Sequence, residues 1–83
     1  MPYSPEQIHE LDVLIRYKLD STFQGIKVHK TASPETIEAV KRLYQKGLIT
    51  QIDGGYLTEL GIKAAEHAQS LLLMLGPAYE KAS

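Results

Sequence analysis

The chain reads as a small α+β domain with the order α-β-α-β-β-α, a small antiparallel sheet and a long C-terminal helix. Three observations predict this class. Ser4-Pro5 and Ser33-Pro34 each precede apolar residues at helical spacing, the start signal of two helices. Asp53-Gly54 sits between two short alternating runs, the strongest short-range cue for a hairpin. Thr58 can cap a third, longer helix that Gly76-Pro77 ends. With 83 residues there is room for one domain, taken as 1–76, and residues 77–83 are expected to form a frayed tail.

Each element has its own grounds. In the first helix Ser4 caps, Pro5 takes the first position, and Gln7 is placed to reach back as in a capping box. Ile8, Leu11, Leu14, Ile15 and Leu19 form one apolar face, while Glu10, Asp12 and Arg16 are expected to point outward, with Asp12 and Arg16 as an i,i+4 pair. The pattern stops at the turn residues Asp20-Ser21-Thr22. Between Gln24 and Lys30, Ile26 and Val28 alternate with Lys27 and His29, which predicts a short edge strand.

The second helix starts at Ser33-Pro34 and carries Ile37, Val40, Leu43 and Tyr44 on its apolar face. Gly47 falls where a left-handed C-cap belongs, and Leu48 can fold back on the last turn. Glu38, Lys41, Arg42, Gln45 and Lys46 make the outward face. The period then changes to two: strand Leu48–Ile52, turn Asp53-Gly54-Gly55, and return strand Tyr56–Thr58. Thr58 caps the third helix, Glu59 to Leu75. Its first half has a seam of small residues, Gly61, Ala64, Ala65 and Ala68. Its second half, Leu71, Leu72, Leu73, Met74 and Leu75, is apolar all round. So short a domain can cover one side of such a helix, so a second copy of the chain is expected to cover the rest; the alternative is that residues 1–3 or the tail fold over it.

Composition narrows the function classes. The absence of Cys excludes disulfides, thiolate catalysis and Cys-ligated zinc, and makes a cytoplasmic location the default. No basic region followed by an apolar stretch opens the chain, so no secretory signal is expected, and the longest apolar run, Leu71–Leu75, is far too short for a membrane span. The net charge of -1 argues against a nonspecific nucleic-acid coat. Its distribution tells more: residues 16–46 carry a net +4 and the remainder -5.

Two motifs carry a resemblance. The run from Ser33 through Leu43-Tyr44-Gln45-Lys46-Gly47-Leu48-Ile49 is similar to the recognition-helix region of winged-helix regulators of the MarR-like and PadR-like kind, and Asp53-Gly54-Gly55-Tyr56-Leu57-Thr58-Glu59-Leu60-Gly61 is similar to their wing and its exit. The match covers residues 33–68. The whole chain also resembles a small gammaproteobacterial family of uncharacterised proteins, some labelled hypothetical DNA-binding proteins. The resemblance implies a winged-helix-like DNA-binding protein, a transcriptional regulator or other DNA-associated factor. A helix suits the major groove and a hairpin can reach the adjacent backbone. On that reading Lys41, Arg42, Gln45 and Lys46 contact phosphates or bases, Thr36 lies near the groove, and Lys27 and Lys30 meet flanking phosphates. Three departures are legible: residues 20–32 look extended where the family has a helix, the wing tip lacks Arg and Lys, and Glu35 and Glu38 put acid near the start of the reading helix.

Plainer readings compete at each position. The cations of the second helix also fit an ordinary surface, with Glu38 and Arg42 as an i,i+4 pair and positive charge near a helix C-terminus. His9, His29 and His67 share no ligand-like spacing, so no metal or other cofactor is expected. Of the tyrosines Tyr17, Tyr44 and Tyr56, Tyr44 is expected in the core and Tyr56 is the candidate contact. No phosphate loop, catalytic triad or His-Glu-x-x-His run is present, and Asp53 and Glu66 are isolated acids, so catalysis is not expected. Two functions remain: a DNA-binding homodimer joined through Leu71–Leu75, or a protein-interaction module on the same fold.

Overall fold

The computed structural model describes residues 2–19 and 25–76. The elements are α1 (Pro5–Leu14), β1 (Ile26–Lys27), α2 (Pro34–Gln45), β2 (Ile49–Gln51), β3 (Gly54–Leu57) and α3 (Glu59–Leu75). The order α-β-α-β-β-α and the antiparallel sheet are those the sequence predicts. The turn residues at 20–22, Gln24 and the tail from 77 lie outside the described residues.

The predicted caps are in place because each satisfies backbone donors that a helix start leaves free. Ser4 Oγ accepts from the Gln7 amide while Gln7 Oε1 accepts from the Ser4 amide, completing the capping box. Ser33 Oγ accepts from the Thr36 amide, and Thr58 Oγ1 from the Gly61 amide. Gly47 is left-handed at φ 79°, and the Leu48 amide donates back to the Leu43 carbonyl at 2.9 Å.

Three boundaries differ from the expectation. Helix α1 ends at Leu14 rather than running to Leu19. The next amides turn to i−3 partners, Arg16 to Val13 and Tyr17 to Leu14, which tightens the chain out of the α-helix. A partner from far along the chain holds that end: Gln69 Nε2 on α3 donates to the Tyr17 carbonyl at 2.7 Å and the Leu14 carbonyl at 3.4 Å. The predicted Asp12–Arg16 pair therefore loses its helical frame, and no ion pair joins these residues among the described ones. The predicted strand over 24–30 shortens to Ile26–Lys27, extended by one further bond from the Val28 amide to the Asp53 carbonyl. The hairpin turn falls on Ile52-Asp53, with both glycines inside β3.

That strand is the middle of the sheet, in the order β1-β3-β2. Pairing with β2 runs from Ile49 opposite Leu57 to Gln51 opposite Gly54, so β3 carries one extra residue. Gly55, at φ 77°, absorbs this bulge, and Thr50 Oγ1 accepts from the Tyr56 amide at 2.9 Å. Gly54 has φ 129°, and a Cβ there would collide with the Ile26 carbonyl oxygen across the ladder.

The core gathers Val13, Leu14 and Tyr17 from α1 and its exit, Ala39, Val40 and Leu43 from α2, Ile49 from β2, and Ala65 and Ala68 from α3. Tyr17 donates its hydroxyl to the Gly55 carbonyl at 3.3 Å, and burial pushes its ionisation up to about 12. Tyr44, expected in this core, is exposed, and Ala39 holds the place beside Val40 and Leu43. A small residue there fits the close packing of α1 on α2, the helix pair in most extensive contact.

Candidate nucleic-acid interface

Glu10, expected outward, is buried at 6% exposure. It faces α2 and accepts from Arg42 Nε at 2.8 Å and Lys46 Nζ at 2.5 Å. Arg42 also donates through Nη2 to the Glu6 carbonyl at 3.2 Å, so two cations of the outward face instead clamp α1 to the end of α2. Burial alone would raise the Glu10 carboxyl. The hydrogen bonds from Lys46 and Arg42, with their charges, more than offset this and hold it below its ordinary range. The predicted Glu38–Arg42 pair is not formed; Glu38 instead meets Lys41 at 3.3 Å on the surface.

Four other cations, Arg16, Lys27, Lys30 and Lys41, line clefts elsewhere. Lys27 and Lys30 are exposed on β1 and the loop after it, and neighbouring clefts there bring Arg16, Lys27, His29 and Lys30 around the same segment. Lys41 reaches this region from α2, and Asp53 is the acid lining these clefts. Gln45 is exposed on α2. Thr36 is half-buried, with its hydroxyl 2.9 Å from Ser33 Oγ, so it serves the start of the helix. Of the seven residues expected to contact DNA, Lys30 shares one cleft with Lys27 and a neighbouring one with Lys41, Gln45 and Thr36 stand apart, and Arg42 and Lys46 are engaged by Glu10. Arg16 joins the basic surface because α1 stops two residues before it, a consequence that periodicity does not carry.

A second surface is apolar. Ile8, Leu11 and Ile15 face Ala68, Leu71, Leu72 and Leu75 across a groove between α1 and α3 that includes Asp12. Beyond it Leu73 and Met74 are 79% and 78% exposed. Pro2 and Tyr3 are themselves exposed and do not line the groove. The basic clefts and this groove share no residue. His9, His29 and His67 lie apart on α1, the loop after β1 and α3; among the described residues no three His, Asp or Glu side chains gather as a metal site would need. No described helix is long and apolar enough to cross a membrane.

Together these features define a small α+β domain whose described residues present a basic surface and a separate apolar groove. Over residues 1–76 the chain matches, and so belongs to, the Family of unknown function (DUF5669). Neither a curated protein nor a solved structure matches it.

Proposed function

We propose that this chain is a small winged-helix-like DNA-binding protein that works as a homodimer. The observation that carries the reading is the row of neighbouring clefts, lined in turn by Arg16 and Lys27, Lys27 and Lys30, and Lys30 and Lys41, along the strand and loop that precede α2. Such a surface can neutralise phosphates while α2, which runs straight into the hairpin, lies alongside the duplex. The close packing of α1 on α2 supports α1 as the partner of the reading helix, since the described residues between β1 and α2 form no helix. On this reading Lys27, Lys30, Lys41 and Gln45 contact DNA, and Arg42 and Lys46 hold the two helices together.

Fluorescence anisotropy with duplex DNA tests it. Affinity should fall steeply between about 50 and 200 mM salt, and Lys27→Gln/Lys30→Gln should lower the magnitude of the salt slope by about 2. Arg42→Gln should leave duplex affinity within about twofold while lowering stability. A folded protein that ignores duplex DNA at low salt would sink the proposal.

The exposed end of α3 favours a second element, self-association. Covering a Leu or Met side chain fully contributes roughly 1.5–3 kcal/mol, and Leu72, Leu73, Met74 and Leu75, with Ile8 beside them across the groove, leave several such side chains open. Because that face is separate from the basic clefts, pairing through it leaves the duplex surface free. Light scattering should give a dimer for the chain and a monomer for Leu73→Glu/Met74→Glu. A monomeric chain at high concentration would leave the protein-interaction module as the reading of this face.

A further inference from the structure

A cleft of about 250 Å³ lies between α2, the loop after β1 and the hairpin turn. Its floor is aliphatic: Val28 from the loop, Ile37 and Val40 from α2, and Ile52 from the turn. Its rim is polar, with His29 and Lys30 from the loop, Lys41 from α2 and Asp53 from the turn. Two of the walls, the loop and the turn, are tied together, since the Val28 amide donates to the Asp53 carbonyl at 2.8 Å. The cleft is thus defined by backbone pairing as well as by side chains.

We propose that this cleft binds a small aliphatic carboxylate. The volume lies just below that of drug-sized sites and suits a short chain rather than a ring system or cofactor. The lining's one aromatic ring is that of His29, and its four other uncharged residues are aliphatic, so the cleft takes an aliphatic body. Among the lining residues two ammonium groups face one carboxylate, which favours an anionic head over a cationic one once Lys41 turns from Glu38. Lys41 now rests on Glu38 at 3.3 Å, an exposed pair of small worth, so its ammonium can turn to a ligand at little cost. The site goes beyond duplex binding and touches it at Lys30 and Lys41: a ligand held by those two lysines competes with phosphate for them.

The test uses the whole chain without DNA, so its outcome is independent of the duplex experiment. Isocaproate is titrated at millimolar concentrations against amide chemical shifts, with isohexanol and isohexylamine as neutral and cationic matches of the same shape. Isocaproate should bind saturably, shift residues 28–30, 37–41 and 52–53, and exceed both analogues in affinity by about fivefold or more. Lys30→Gln/Lys41→Gln, on an exposed rim and compatible with folding, should weaken isocaproate about tenfold and leave isohexanol unchanged. Equal affinity for acid and alcohol would overturn the proposal. So would shifts confined to the α1–α3 groove, or no shifts at all.

Discussion

Replacing Gly61 by alanine should destabilise the domain by about 3 kcal/mol, at the upper end of what overpacking costs. Helix propensity taken alone points the other way, since alanine exceeds glycine by about 1 kcal/mol inside a helix. Packing decides the sign. Gly61 is buried in the first turn of α3, and a Cβ there would overlap the Leu48 carbonyl oxygen and stand 2.9 Å from its carbon. That oxygen has no room to yield, because it accepts from the Thr58 amide at 3.1 Å. Thr58 is tied in turn by its hydroxyl to the Gly47 carbonyl at 2.6 Å. To admit the methyl group, α3 must back away from the hairpin, straining both bonds and uncovering Ala65. Thermal unfolding should show a midpoint lower by more than about 10 °C for a chain this size. An unchanged midpoint would mean that α3 does not sit this close to Leu48.

Glu10→Ala should cost about 2–3 kcal/mol. Two charge-assisted hydrogen bonds vanish, each worth roughly 1.5–3 kcal/mol, but Arg42 and Lys46 are open enough to regain water and recover part of the loss. The pair should be coupled: Arg42→Ala should cost less in the Glu10→Ala background than in the unaltered chain, as urea denaturation of the four combinations would show. Acid gives an independent reading. The folded Glu10 carboxyl titrates below its ordinary range, so the unfolded chain binds the proton more readily. The stabilisation is then fully present above the ordinary glutamate value of about 4.3 and is lost as pH falls through the lower folded value. Glu10→Gln should flatten that acid limb and leave the slope near neutrality alone. An acid limb identical in both proteins would remove Glu10 from its place in the clamp.

What was legible in the residues is chiefly local. Ser4, Ser33 and Thr58 could be recognised as caps because a cap is settled within three residues of chain. Gly47 was legible for the same reason, its left-handed turn following from helix geometry. The hairpin was visible in Asp53-Gly54, although the turn slid back to Ile52-Asp53 because the bulge at Gly55 is set by pairing with β2. Tyr44 and Ala39 show the limit of periodicity: it groups residues on faces but does not say which edge of a face a neighbouring helix covers. The basic site was half legible. Lys27, Lys30 and Lys41 could be named from charge and position, whereas the loss of Arg42 and Lys46 to the clamp depended on a carboxylate more than thirty residues away.

The sequence by itself determined the element order, the helix starts, the left-handed turn and the polarised charge, because each depends on neighbours a few residues apart. Only the tertiary structure decided where α1 ends, since Gln69 must cross from α3 to hold its last carbonyls. It alone turned Glu10 inward, because the α1–α2 contact brings two cations over a side chain that spacing assigns to water. It also put β3 in the centre of the sheet and left Leu73, Met74 and Leu75 open at the end of α3. These outcomes share one cause: burial and long-range pairing are properties of the packed chain, and no local propensity encodes which surfaces meet.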